Sequence, residues 1–379
     1  MREEISAQAT LAKEDTLLIG MDLSAKSWRI CSGTLTGRRE RQKSLRAEDV
    51  PHVFRDEVSR AKQKLELPES APVVVVYEAG RDGFWPYRLL SEWGFEVIVV
   101  DPSSLEVPQR SKRRKTDRLD ARELLGKLRH RTQGERPWRE VRVPSAEEED
   151  ERQLTRERDR LIKERTQLKC RARSVAAKHG LRLEPYPGFS ESLDSLRTPW
   201  GAPLGPDAMR DLQHTDERLQ LVERQICELE QEQVERLKAP RSRISETARR
   251  LTQVKSVALQ TAWGLSTECF GWRDFANTRE VGGASGLVPV PFNSGSRERD
   301  QGISKNGPRR VRQLAIELAW RWQYHQREDR LTLWYHERFA GGGRRQRKVG
   351  IVGLARKILV ALWKFLEFGE LHEGMELNA

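Results

Sequence analysis

The sequence predicts three regions: an α/β domain over residues 1–140, a helical coiled-coil arm over 141–240, and a mostly α-helical domain over 241–379. Three observations carry this. Apolar runs of strand length alternate with helically spaced segments between residues 16 and 131. A charged stretch then repeats an apolar residue at seven-residue intervals. Most of the tryptophan and phenylalanine of the rest of the chain falls beyond residue 241 and supplies a second core.

Each element has its own signal. Residues 16–22 (Thr-Leu-Leu-Ile-Gly-Met-Asp) read as a buried strand that ends in an acid. A turn over 24–26 leads to a second short strand over 28–35. Residues 50–67 have helical spacing. Residues 72–78 form a continuous apolar run ending in Glu78, as expected of a central strand covered on both faces. A helix over 84–93, a strand over 96–101 stopped by Pro102, and a helix over 116–130 follow. The result is a mixed sheet with helices on its faces.

Beyond it, Leu154, Leu161, Leu168 and Val175 mark one seam of a long helix. Residues 180–206 are rich in Pro and Gly and read as a loop. Leu212, Leu219, Val222, Ile226 and Leu229 mark a second helix over 207–237. Two helices around such a loop predict an antiparallel hairpin, serving either as a dimerisation arm or as a linker packed on its own domain. In the C-terminal region, residues 282–307 read as a Gly-, Ser- and Pro-rich loop and 341–348 as a basic, flexible stretch.

The 379 residues suit two or three domains. Hydrophobic residues make up 37% and charged residues 33%, which fits compact domains joined by a solvent-facing helical segment. A net charge of +12 and a pI near 9.7 point to a polyanionic partner, nucleic acid first. A basic protein that is merely soluble is the plainer alternative. Cys31, Cys170, Cys227 and Cys269 show no zinc or disulfide spacing, which fits a reducing cytoplasm. The polar N-terminus has no apolar signal core, and no apolar run approaches the ~18 residues that span a bilayer. A cytoplasmic, nucleoid-associated protein is expected, with no membrane partner.

Four acids stand out by position. Asp22 and Glu78 end strands, and Asp117 and Asp120 lie three apart near a helix start. Singly, each reads as a turn or helix-start residue. Together, such acids repel unless cations neutralise them, and hard oxygen ligands suit Mg²⁺, with Mn²⁺ the alternative. Divalent ions so held can stabilise the attacking and leaving oxygens of a phosphodiester. A strand-end Asp, a strand-end Glu and an Asp-x-x-Asp helix point to an RNase H-like nuclease sheet. Lys112, Arg113, Arg114 and Lys115 precede Asp117 and would place phosphate-binding charge beside these acids; a solvated basic loop is the alternative.

These blocks resemble a known family. Ile19-Gly-Met-Asp22, Tyr77-Glu-Ala-Gly80, Val100-Asp-Pro102 and Lys115-Thr-Asp-Arg-Leu-Asp-Ala121 look like the four blocks of the DEDD transposases of bacterial insertion sequences. The resemblance implies a RuvC-like N-terminal domain and makes Asp22, Glu78, Asp117 and Asp120 the metal-binding tetrad. It extends to a C-terminal transposase domain, through residues 251–262, 282–289, Ser294-Gly295 and 303–312. Ser256 and Ala258 stand where that family commonly has glycine. By the same resemblance Ser294 is the nucleophile and forms a phosphoserine link to DNA, with Ser285 and Ser296 as competing loop serines. Lys305, Arg309, Arg310 and Arg312 would bind phosphates near that loop, and Arg344, Arg345, Arg347 and Lys348 would bind nucleic acid more loosely. The implied partners are donor and target DNA and a structured non-coding guide RNA, the bridge RNA. Strand exchange needs several active sites, so a dimer that forms a tetramer is expected. Two other readings stay open: a metal-dependent endonuclease or junction resolvase that uses water, and a nucleic-acid-binding scaffold without turnover.

Overall fold

The computed structural model describes residues 15–37, 39–80, 83–105, 117–294, 297–305 and 307–378. They form two compact units, Met1–Pro144 and Ser145–Ala379. The first holds a mixed α/β sheet and the second is mainly helical.

The first unit opens with β1 (Leu17–Leu23), β2 (Ser27–Gly33) and β3 (Glu40–Arg46), an antiparallel meander. After α1 (Val50–Lys64) comes β4 (Val73–Glu78), and after α2 (Trp85–Glu92) comes β5 (Glu96–Val100). Both later strands run parallel to β1, giving the order β3-β2-β1-β4-β5. The apolar run of β4 is central because both its faces are covered. β3 was not anticipated: only Leu45 of its seven residues is buried, as suits an edge strand whose charges discourage further pairing. The opposite edge, β5, is covered by the 139–141 segment, where the Val141 amide donates to Val99 and the Asp101 amide to Arg139.

One sheet face packs on α3 (Asp117–Thr132) through Leu18, Val74, Val76, Ile98 and Val100 against Ala121, Leu124, Leu125 and Leu128. Each such side chain taken from water contributes about 2 kcal/mol. The other face carries Phe54 of α1 against Trp28, Trp93 and Phe95. The helix approaches β1 at Gly20, where an added methyl would lie 2.7 Å from the Leu125 amide nitrogen and closer still to the Ala121 carbonyl oxygen. Further along α3, Arg129 reaches the Thr34 carbonyl oxygen and packs at Gly33, which is paired with Leu18. The helix therefore runs opposite to β1, and its first turn overhangs the strand's carboxyl end.

The second unit begins with α4 (Ala146–Lys178) and α5 (Pro206–Lys238). A capping box of Ser145 and Glu148 starts α4. Salt bridges Arg158–Glu230, Arg165–Glu223 and Arg171–Asp211 fall in number on one helix as they rise on the other, so the pair is antiparallel. Its seam buries Leu161, Leu168, Leu212, Leu219 and Ile226. At the turn, the Asp216 carboxylate accepts from the Gly188 and Ser190 amides, the Ser190 hydroxyl and the Gln220 amide.

A helical core follows, built from α6 (Arg243–Thr252), α7 (Leu259–Leu265), α8 (Thr278–Ser285), α9 (Arg309–His325), α10 (Arg330–Tyr335) and α11 (Arg344–Phe368) around Trp263 and Trp322. Between α8 and α9, where the sequence reads as a loop, lies a hairpin of β6 (Pro289–Ser294) and β7 (Arg297–Ile303). Its prolines hide a strand signal, being tolerated only in an edge pair such as this one. The basic 341–348 stretch is not all irregular: α11 starts at Arg344 with Gly343 as its N-cap. No helix among the described residues is long and apolar enough to cross a membrane.

Two expectations follow. Gly20→Ala forces α3 away from β1 and lowers stability by about 1–3 kcal/mol, as measured by the denaturant midpoint of the sheet unit. For Asp216, burial opposes ionisation, but the hydrogen bonds from Ser190, Gly188 and Gln220 outweigh it and hold the carboxyl below its ordinary range. Its contribution is complete above the unfolded value of ~3.9 and is lost as pH falls through the lower folded value. Asp216→Asn lowers stability at neutral pH by about 1–3 kcal/mol and flattens the acid limb of a stability-versus-pH curve; an unaltered acid limb would exclude the assignment.

Candidate active site

The register of the sheet brings two of the four expected acids together. Met21 of β1 pairs with Tyr77 of β4, so Asp22 and Glu78 are the next residues on two neighbouring parallel strands. Strand alternation puts them on the same face as Leu18, Val74 and Val76, the α3 face. Asp22 is half-buried and Glu78 exposed. Two carboxylates so placed repel by roughly 1–3 kcal/mol, depending on how water-like their surroundings are. Hence they favour a cation.

α3 supplies the other pair by position. Ala121 touches Gly20, and Asp22 lies two strand residues beyond it, about 6.6 Å. Asp117 precedes Ala121 by one helical turn, about 6 Å in the same direction. Asp120 lies on that turn as well. The backbones of all four expected acids thus meet at the carboxyl ends of β1 and β4. The side chains of Asp117 and Asp120 lie outside the description, as do Lys112, Arg113, Arg114 and Lys115. Hard oxygen donors at two adjacent strand ends, under a helix start bearing two more acids, fit a divalent metal.

Sequence reasoning missed Arg29. It pairs with Asp22 on β2, which places it in the same cross-strand row as Asp22 and Glu78. That register sets it on the face of the sheet that bears the acids. Only the antiparallel register reveals it, since nothing near Arg29 forms a motif. Cys31, two residues on, is not reactive: burial, then Glu40, pushes its thiol up to about 11. Asp101 of the Val100-Asp-Pro102 block is buried and faces Arg139 at 3.7 Å, a structural pairing.

In the second unit, Ser294 is the last residue of β6, paired with Arg297 at the turn end of the hairpin. Its side chain lies outside the description, as does Ser296. The hairpin base is tied to α8. The Ser304 amide donates to Val288 and the Lys305 amide to Gly286. Gly307, at φ 94°, lies against the Ala284 carbonyl with no room for a side chain. Ser285 is fully buried; its hydroxyl donates to the Gly282 carbonyl and accepts from the Leu287 amide. It has no surface to offer a substrate.

The expected basic residues divide. Lys305 and Arg309 are exposed beside the hairpin base. Arg310 instead donates to Asp159 of α4 at 2.7 Å, and Arg312 donates to the Gly307 carbonyl. Arg344, Arg345, Arg347 and Lys348 are all exposed on the opening turns of α11. The α6–α7 turn carries Ser256 at φ 89°, a left-handed backbone suited to glycine. The neighbouring Lys255 amide donates to the Glu376 carbonyl, so the C-terminal segment already occupies it.

Comparison with known proteins gives the chain's relatives. Residues 19–179 match the model of a DEDD-type transposase family of IS110 elements, and residues 248–334 match the transposase IS116/IS110/IS902 family. The chain is 34% identical to a Sinorhizobium fredii protein bearing a transposase name, over 94% of this chain and 93% of the relative. It is 24% identical to the transposase for insertion sequence element IS1328 of Yersinia enterocolitica, over 91% and 95% of the two chains. It is 25% identical to the transposase for IS1111A of Coxiella burnetii, over 93% and 90%.

Proposed function

The chain belongs to the IS116/IS110/IS902 transposase family, whose members cut and rejoin DNA, and we propose that it does so with a metal-binding acid tetrad and a serine nucleophile. The observation that carries the reading is the in-register pairing of Asp22 with Glu78 on the face covered by α3. The strand order, an antiparallel meander followed by two strands parallel to β1, supports an RNase H-like, RuvC-like sheet.

Asp22, Glu78, Asp117 and Asp120 hold a divalent ion, Mg²⁺ by the hardness of their oxygens, with Mn²⁺ able to substitute. When bound, it neutralises the developing charge on the phosphodiester oxygens. Ser294 supplies the nucleophile. Its Oγ loses a proton and bonds to phosphorus. The bridging sugar oxygen leaves and takes up a proton. The phosphoserine link conserves the energy of the broken ester, so the reverse step can join a new strand. Arg29 counters charge around the acids, and Lys305 and Arg309 attract phosphates beside the hairpin base.

Donor and target DNA are the substrates. A structured non-coding guide RNA, the bridge RNA, is the further partner this reading implies; the net charge of +12 suits a chain that binds two polyanions. The domains over 1–140, 141–240 and 241–379 then divide the work into metal binding, assembly and serine delivery. The paired helices α4 and α5 act as a coiled-coil arm that makes a dimer and then a tetramer. Exposed Tyr186 and Trp200 near their turn supply apolar surface for that contact.

Asp22→Asn and Glu78→Gln each reduce DNA cleavage about 100-fold or more in a purified strand-cleavage assay, exceeding the loss typical of residues that only support a metal ligand. Near-normal cleavage by both variants would remove the metal site. Ser294→Ala abolishes the covalent protein–DNA adduct seen on a denaturing gel, whereas Ser285→Ala keeps it. Full cleavage by Ser294→Ala without an adduct would instead support water as the nucleophile.

A further inference from the structure

A cleft of about 640 Å³ opens in the second unit between α8, α10, α11 and the C-terminal segment. Among the described residues its lining includes Arg279, Arg356, Lys357, Lys364 and His372, and no carboxylate. We propose that this cleft binds the phosphodiester backbone of a nucleic acid. The inference rests on the reading of the chain as an enzyme of nucleic acids, but on neither Ser294 nor a metal.

The cations are held in place. The stem of Arg356 packs over Gly282, where an added methyl would lie 3.7 Å from its Cδ. The Lys357 ammonium lies 4.8 Å from the centre of the Trp334 ring. His372 Nδ1 is 2.8 Å from the carboxylate of Asp329, which is fully buried and also accepts from the Trp322 indole at 2.9 Å. That pairing fixes the ring and leaves Nε2 for the cleft. Among the described residues, Glu370, 3.5 Å from Lys364, is the one carboxylate paired with Arg279, Arg356, Lys357 or Lys364. Arg356 and Lys357 are half-buried, so their charge is less screened than that of a solvated lysine.

Spacing favours a polymer over a single anion. Arg356 to Lys364 spans eight residues of α11, about 12 Å. One strand of duplex DNA carries a phosphate every ~3.4 Å of axis and winds as it rises, so that row is long enough to reach more than one phosphate. The cleft also reaches Val288, the residue before β6. Ser294 lies six residues further on, up to roughly 20 Å along an extended strand. Backbone held in the cleft is therefore anchored at one end of the hairpin whose other end carries the serine.

The test uses the full chain without divalent ions. Fluorescence anisotropy follows binding of a duplex DNA and of an RNA hairpin with equal phosphate counts over a salt series. The triple variant Arg279→Gln, Arg356→Gln, Lys364→Gln is compared with the unsubstituted chain. The slope of log affinity against log salt falls in magnitude by about 2 to 3 for at least one probe, near 0.9 per phosphate on duplex DNA. The probe that loses slope identifies the source of the phosphates. Unchanged slopes for both probes overturn the cleft alone. Binding of neither probe by the unsubstituted chain overturns the nucleic-acid reading with it. A second measurement avoids any folding defect of the variant: acetylation of Lys357 and Lys364 in the unsubstituted chain slows when probe saturates it. Equal acetylation with and without probe also overturns the proposal.

Discussion

Close contact between a helix backbone and a strand backbone sets the geometry of the sheet unit. Gly20 lets α3 approach β1 nearer than any side chain permits. That contact fixes where the helix starts relative to the strand's end. The acids of the helix start and the acids of the strand ends depend on it for their proximity. The apolar row of Leu124, Leu125 and Leu128 holds the helix down, but Gly20 sets its height. Repulsion among the acids works against the packing. The metal-binding reading resolves that conflict, since a bound cation turns the same charges into a stabilising term.

The helical unit relies on a different device. Its long helices carry too little apolar surface for a thick core, so charged pairs such as Arg158–Glu230 flank a narrow seam. Exposed pairs of that kind contribute only about 0–1 kcal/mol each. Their value lies in register, since a slip by one turn would set Arg158 opposite Ile226 or Val234 in place of Glu230. Arg152 adds a more buried link: it is 8% exposed, stacks on Trp272 and approaches Glu268 at 3.6 Å. Burial lowers its hold on its proton, with Glu268 opposing. It is tied to α4 on one side and to the segment after α7 on the other.

Much of the sheet and two acids were legible because they obey local rules. An apolar run closed by Asp22 or Glu78 announces both a strand and its end. The Lys-Thr-Asp-x-x-Asp-Ala block marked the start of α3 in the same way. β3 was illegible because an edge strand faces water and needs no apolar alternation. The hairpin of β6 and β7 was hidden by Pro289 and Pro291, which read as loop. Arg29 and the cleft cations were invisible for a further reason. Arg29 meets Asp22 only through strand register, and Arg279 meets Arg356 only through packing of α8 on α11. The first relation lies within eight residues but depends on hairpin register, and no short window of sequence contains the second.

On the proposed reading, the acids and the serine are mounted on supports of different stiffness. Asp22 and Glu78 lie in adjoining strands of a five-stranded sheet, each flanked by strands on both sides and packed under a helix. Ser294 ends one arm of a two-stranded hairpin, a motif that is marginal alone. What steadies it is its base, where Ser304, Lys305 and Gly307 tie it to α8 and the segment just after it. Metal ligands lose function when displaced by a fraction of an ångström, so a rigid sheet suits them. On the proposed reading, a serine that attacks one strand and later releases it to another has two positions to serve. A hairpin tied at its base would suit that, and the proposed cleft beside that base would hold nucleic acid at the end away from the turn.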